Sequence, residues 1–380
     1  MKTTIMNPFT LKDYISPEYF CDREHETKRI INSIENQRNL TLSSIRKMGK
    51  TGLIYHVFNQ LNKTNKYDTI YFDIYYTSSL SGFINKFGSG ILTEEESFSD
   101  KIKRMINSFI RSIRPTITYD NLTGSPTFSF NMENEATGIK TIEEIFAFLN
   151  KRSLEKPVVV AIDEFQQIAN YPEENVEALL RTNIQKLHNV NFIFSGSDKQ
   201  LLTSMFTDAK RPFYQSTELM HLEEIKESEY SQFIRDQFNT GSISINDEAI
   251  EYIFTITKLH TYYVQYLCNK IYSSGEKNID IETVKRIYFE ILKENEVYYS
   301  EYRDMLTKQQ WNLLIALANE NGISKVNTSA FIKKHNLSNT STVRRGIKSL
   351  IDKKLIYKKN TKYFVYDVFL AKWLTRLRTN

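Results

Sequence analysis

Gly49, Lys50 and Thr51 stand in a row after a short β-prone run, and each supplies one need of an anion-binding turn. Glycine permits the positive φ and close approach that let backbone N–H groups curl around a phosphate. The lysine supplies a point charge for the outer phosphates and the threonine a hydroxyl for Mg²⁺. A helix beginning at Lys50 adds the positive end of its dipole. In the spacing G-x-x-x-x-G-K-[ST] the first glycine falls on Ser44, a departure that a small residue permits. Ser44, Lys47, Met48, Gly49, Lys50, Thr51 and Gly52 are therefore the candidate phosphate contacts.

A second signal is Val158-Val159-Val160-Ala161-Ile162, which ends in Asp163-Glu164. A buried parallel strand of this kind would bring Asp163 beside the turn to hold Mg²⁺ with Thr51, and Glu164 to polarise a water. A third is the apolar run Phe192–Phe194 followed by Ser195-Gly196-Ser197, where a hydroxyl of Ser195 or Ser197 would meet the γ-phosphate or the attacking water; a plain strand-to-helix turn is the alternative. The three together predict a bound nucleotide with Mg²⁺, with Lys50 and Glu164 as catalytic residues; ATP (or ADP) as that nucleotide is what the family resemblance given below implies. Nuclease or protease chemistry finds no support: the six histidines form no H-E-x-x-H, and no G-x-S-x-G elbow occurs.

The elements that must position these residues follow from the apolar patterning. Over the first ~220 residues, short apolar runs alternate with helical patterns, which predicts βαβ units and a parallel sheet. Strands are expected over 39–43, 69–75, 158–162 and 191–195, and helices over 27–36, 50–61, 80–92 and 97–113. The stretch 114–135, with Pro115, Gly124 and Pro126, reads as a hairpin or flap projecting from the sheet. From 223 to 295 the pattern is wholly helical, with Asp247 and Asp280 as N-caps. From Thr307, three helices and a hairpin around Asn360-Thr361 predict a winged helix-turn-helix. The expected division is 1–222, an ATP-binding α/β domain; 223–300, a helical lid; and 301–380, the winged helix.

Charge divides along the same lines. Residues 301–380 carry 16 basic and 5 acidic side chains, whereas the preceding 300 carry 34 and 40. The third helix of the last module would present Ser341, Thr342, Arg344, Arg345 and Lys348, with Lys359 on the wing. This is a surface suited to double-stranded DNA; a lid element or a site for a regulatory protein partner is the alternative. No run approaches ~18 apolar residues, so no membrane partner is expected. Cys21 and Cys268 read as free thiols, and a cytoplasmic location is expected.

The order of motifs resembles the archaeal-type ATPases of the STAND branch of P-loop NTPases, close to AAA+ proteins. It runs from Phe20-Cys21-Asp22-Arg23-Glu24 through the turn at Lys50, and includes 197–214, 260–269 and 363–374. The resemblance implies that Phe20 and Arg23 border adenine and ribose. It makes Arg211 a γ-phosphate sensor, with a structural salt bridge as the alternative. The family's lid tripeptide G-x-P is Leu259-His260-Thr261 here, leaving His260 either at the nucleotide or packed at a helix end. The expected function is a nucleotide-driven ATPase switch; the alternative is a non-hydrolysing nucleotide-binding module for DNA or protein.

Overall fold

The computed structural model describes residues 7–12, 14–92, 100–119, 126–132 and 134–377. The chain forms two compact units, Lys12–Ile225 and Lys226–Asn380, the second joined by Met1–Leu11.

In the first unit α1 (Glu24–Glu35) leads to β1 (Leu40–Ser43), buried throughout, and then to α2 (Lys50–Thr64). β2 (Asp68–Asp73), α3 (Leu80–Leu92) and α4 (Asp100–Ile113) follow; residues 97–99 of the helix expected there lie outside the described residues. Next come β3 (Thr116–Tyr119), β4 (Pro126–Ser129), α5 (Glu135–Ser153), β5 (Val158–Asp163), α6 (Val176–Ile184), β6 (Val190–Gly196), α7 (Lys199–Thr207) and β7 (Glu218–His221).

Five of these strands form one sheet in the order β2-β5-β6-β1-β7, parallel at every pairing. The inner strand β5 is apolar on both faces up to Ile162, as helices on each side require. Val159, Ala161, Leu40 and Leu42 pack with Ile30 of α1 and Leu53 and Val57 of α2. Val158, Val160 and Ile162 face the other way, onto Phe87 of α3, Ile145 of α5 and Leu180 of α6.

The hairpin corrects an expectation. β3 and β4 pair only with each other, and β4 docks on α3 rather than projecting from the sheet. Phe130 fills the space that Gly88 leaves, for a Cβ there would stand 2.3 Å from its ring.

The second unit contains α8 (Glu227–Asn239), β8 (Ser244–Ile245), α9 (Asp247–Thr257), α10 (Thr261–Ser273), β9 (Asn278–Ile279), α11 (Ile281–Glu294) and α12 (Glu296–Met305). It is not wholly helical, since β8 and β9 pair in parallel. Asp280 caps α11 by accepting from Thr283 N, but α9 is capped by Asn246, one residue before the expected Asp247. Then α13 (Lys308–Glu320), α14 (Ser329–Lys334), α15 (Thr340–Asp352), β10 (Ile356–Lys359), β11 (Lys362–Val365) and α16 (Val368–Arg376) build the winged helix. Lys359 pairs with Lys362 across a two-residue turn in which Asn360 and Thr361 have φ of 47° and 71°. Left-handed backbone at both central positions is what a tight hairpin of this length requires. Among the described residues, no helix is long and apolar enough to cross a membrane.

Candidate nucleotide site

The turn from β1 to α2 is shaped by two left-handed residues, Lys47 at φ 67° and Gly49 at φ 92°. Ser44 is not among the positive-φ residues, so this loop tolerates serine where the motif has glycine. Ser44 is fully buried and its Oγ–H donates to Ile45 O at 2.8 Å. Lys50, 7% exposed, reaches back to Ser44 O and Oγ at 3.4 and 3.3 Å. Both contacts are longer than ordinary N–H···O bonds. Burial lowers the Lys50 pKa, with Asp163 and Glu164 pulling it up and Arg46 down. A buried ammonium held by two long bonds at a helix N-terminus is suited to take a phosphate.

β5 delivers Asp163 beside this turn. Thr51 Oγ1 donates to Asp163 Oδ2 at 2.9 Å, joining motifs 112 residues apart. Tyr71 OH donates to the same oxygen at 3.0 Å, and Ser195 Oγ and Glu164 N donate to Oδ1 at 2.7 and 3.0 Å. Ser195 is fully buried, so its hydroxyl serves the carboxylate rather than opening to the mouth of the site. Burial, chiefly, and the Asp163 charge push the Tyr71 hydroxyl far above its usual range. Asp73 stands opposite Asp163 in register, and burial together with Asp163 and Glu164 pushes its carboxyl up, against a backbone N–H from Tyr75.

The donor set around Thr51 and Asp163 is one of hard oxygens. Among the described residues no group of three or more His, Cys, Asp or Glu forms a metal-holding cluster. A Mg²⁺ ion fits such a place, because it takes one or two protein oxygens and completes its shell with water and substrate phosphates. Glu164 follows in left-handed conformation, φ 55°, and its Oε2 accepts from Ser197 Oγ at 2.8 Å and from the Gln166 amide. Arg46 Nε lies 3.4 Å from the same Ser197 hydroxyl, with its guanidinium over the Tyr75 ring.

Phe20 stacks on His56 of α2 at 4.3 Å between centroids and lies against Gly52. Tyr14 closes the cluster, its OH 3.2 Å from His56 Nδ1. Arg23 is buried, pairs with Glu26 at 2.8 Å and lies 3.5 Å from Met48 O, so it ties α1 to the phosphate turn. Arg211 is held in an ion pair with Glu177 and bonds Ser204 Oγ. His260 belongs to the second unit, where it is buried at the N-cap of α10 near the rings of Tyr263 and Tyr357. On α15, Ser341, Arg344, Arg345 and Lys348 are exposed; Thr342 and, on β10, Lys359 are half-buried. Asn339 caps that helix, accepting from Thr342 N at 2.9 Å and from the Ser341 hydroxyl.

Tyr71, Asp73, His56 and Tyr14 carry no spacing signal; cross-strand register and stacking bring them in. Gln166 is placed by its position two residues after Glu164.

Comparison with known proteins bears on the family and the fold. A family model described as an ATPase domain predominantly from Archaea matches residues 20–267, and one described as a "probable winged helix domain" matches 297–376. A protein of Methanocaldococcus jannaschii, described as an uncharacterized ATP-binding protein, is 31% identical over 170 residues. That match spans 40% of this chain and 45% of the relative, less than half its length. Among solved structures, a Walker-type ATPase of Pyrococcus abyssi aligns over 97% of this chain and 99% of its own, with TM-score 0.67 and 18% identity. The Aeropyrum pernix ORC2 protein, solved in ADPNP-ADP complexes, aligns over 99% of both chains with TM-score 0.54 and 14% identity. At these identities the two solved structures speak for the fold.

Proposed function

The chain belongs to the archaeal-type ATPase family, and we propose that it hydrolyses Mg-ATP as a nucleotide-driven switch whose output is the Lys226–Asn380 unit. The observation that carries this reading is the bond from Thr51 Oγ1 to Asp163 Oδ2 at 2.9 Å beside the buried Lys50 ammonium. It joins a phosphate turn to a carboxylate strand end, the two halves of a hydrolytic site.

In this reading Lys50 and the N–H groups of the turn from Ser44 through Lys47 and Met48 to Gly52 take the phosphate chain. Thr51 and Asp163 would hold Mg²⁺, with Ser195 and Tyr71 fixing the carboxylate. Bound there, Mg²⁺ would neutralise charge on the phosphate oxygens. Glu164 accepts a proton from water as the water oxygen bonds to the γ-phosphorus and the bond to the bridging oxygen breaks, leaving ADP and phosphate. Phe20 and Arg23 border the adenine and ribose, a role the family resemblance supports. Arg211, as γ-phosphate sensor, would have to leave Glu177. The finer division into a lid over 223–300 and a winged helix over 301–380 belongs to the same proposal, with His260 in the lid.

The test is phosphate release alongside ATP binding. Wild type should turn over ATP with Mg²⁺, Glu164→Gln should bind it without comparable release, and Lys50→Ala should lose affinity. Equal release by wild type and Glu164→Gln rejects the catalytic assignment and favours a non-hydrolysing nucleotide-binding module. Unchanged affinity in Lys50→Ala rejects the turn.

A second reading concerns α15, whose exposed Arg344, Arg345 and Lys348 make no ion pair with a carboxylate among the described residues. This supports contact with duplex phosphates, with Ser341 and Thr342 at the helix start and Lys359 on the wing. Replacing Arg344 and Arg345 by alanine should lower the slope of log K against log salt by about one per residue. Absence of duplex binding at low salt rejects this reading and leaves a protein partner for the module.

A further inference from the structure

Gln166 lies in the short turn Phe165–Asn170 after Glu164 and is 5% exposed. Its amide nitrogen donates to Glu164 Oε2, the oxygen that also accepts from Ser197 Oγ. Both bonds anchor one carboxylate oxygen and leave Oε1 to other donors. The far end of the amide, Gln166 Oε1, is buried with no hydrogen-bond partner, an arrangement that costs stability and so needs a cause. Turning the amide over would aim its oxygen at the carboxylate, so Glu164 sets its orientation.

Gly196 supplies the space. A Cβ at this position would stand 1.9 Å from Gln166 Oε1 and 3.0 Å from its Cδ, with Leu202 Cδ2 at 3.2 Å. Gly196 ends β6 and is not among the positive-φ glycines, so its backbone would accept any residue. Only the Gln166 side chain, and more weakly Leu202, demands that it be glycine.

We propose that Gln166 is the positioning residue for Glu164, seated by the absent side chain of Gly196. With Ser197 it clamps Oε2 and presents Oε1 to the attacking water. Since Gly196 O also accepts from Ser44 N at 3.4 Å, the same glycine touches the phosphate turn and the seat of the base. The proposal rests on Glu164 as the base.

A double-mutant cycle tests it. Gln166→Ala should lower kcat at least about tenfold, the lower end of what losing an orienting partner costs at metal-dependent sites, with KM within about twofold. Gly196→Ala should do the same by displacing Gln166, and the double variant should be no slower than the worse single one. The second readout is urea unfolding without nucleotide. Gly196→Ala should destabilise the wild-type background and lose most of that effect in the Gln166→Ala background, where only Leu202 still has to give. If Gly196→Ala alone does not fold, the double variant should.

Multiplying kcat losses, an unchanged or raised kcat in Gln166→Ala, or equal destabilisation in both backgrounds overturns the proposal. Equal turnover by Glu164→Gln and wild type, or no turnover in wild type, removes the base and with it the positioning role. The unfolding cycle still decides separately whether Gln166 is seated on Gly196.

Discussion

Replacing Ser195 by alanine removes one oxygen from a fully buried position and should weaken the site from within. Asp163 is 5% exposed and accepts four hydrogen bonds between 2.7 and 3.0 Å, of which the Ser195 bond is the shortest. A hydrogen bond to an ionised group contributes about 1.5–3 kcal/mol. Alanine leaves no orphaned donor, and Thr51, Tyr71 and Glu164 N remain, so the lower end applies. A loss of about 1.5 kcal/mol corresponds to roughly a tenfold change in the opening equilibrium. Tryptophan fluorescence would miss it, because Trp311 and Trp373 both lie in the Lys226–Asn380 unit. Hydrogen exchange in peptides covering β5 and β6, without nucleotide, reads the effect where it arises. Ser197→Ala serves as control: Ser197 is half-buried and bonds Glu164 rather than Asp163, and should cost only about 0.5 kcal/mol, the low end for a partly solvated bond. If Ser195→Ala exchanges no faster than Ser197→Ala, Asp163 does not depend on its buried donors.

Other perturbations test other parts of the molecule. Gly88→Ala would drive a Cβ to 2.3 Å from the Phe130 ring and should cost about 1–3 kcal/mol by overpacking; calorimetry without loss of stability would deny the docking of β4 on α3. Asn339→Ala removes the cap of α15 and should cost about 1 kcal/mol; unchanged exchange in the first turn of that helix would contradict the cap. Glu218 has its carboxyl held below its usual value by Arg29, with Ser33 and Arg38 assisting against burial. The unfolded chain therefore binds the proton first as pH falls, and the stability this bond contributes is lost from about pH 4.5 downward. Glu218→Gln should flatten that part of a melting-temperature profile, whereas parallel profiles would show that the clamp contributes nothing.

The parts of this fold that the chain displays openly are those where one element explains its own residues. β5 is apolar on both faces because it is the third of five parallel strands counted along the chain and lies inside the sheet, so its run ending in Asp163-Glu164 stands out. α15 shows its core face through Val343, Ile347 and Leu350. α5 is harder to read, although it has 19 residues: it buries Thr141, Arg152 and Ser153 among its apolar positions, which blurs the helical period. Tyr71 and Asp73 are illegible for a different reason, since their role comes from the register of β2 against β5, about 90 residues away. That serine can stand where the motif has glycine at position 44 rests on backbone angles that residue types do not display, because the left-handed turns fall at Lys47 and Gly49.

Strand order also sets a timetable for the chain as it is made. β1 carries the phosphate turn, yet its two neighbours are β6 and β7, which begin at Val190 and Glu218. Synthesis at about 5–20 residues per second leaves Leu40–Ser43 without either neighbour for roughly 7–30 seconds, and without β7 for roughly 9–35 seconds. Throughout that interval a fully apolar strand face and its ladder of amides stand open, the kind of segment that pairs with other chains. The nucleotide turn is thus among the first parts of the site to be made and among the last to be shaped.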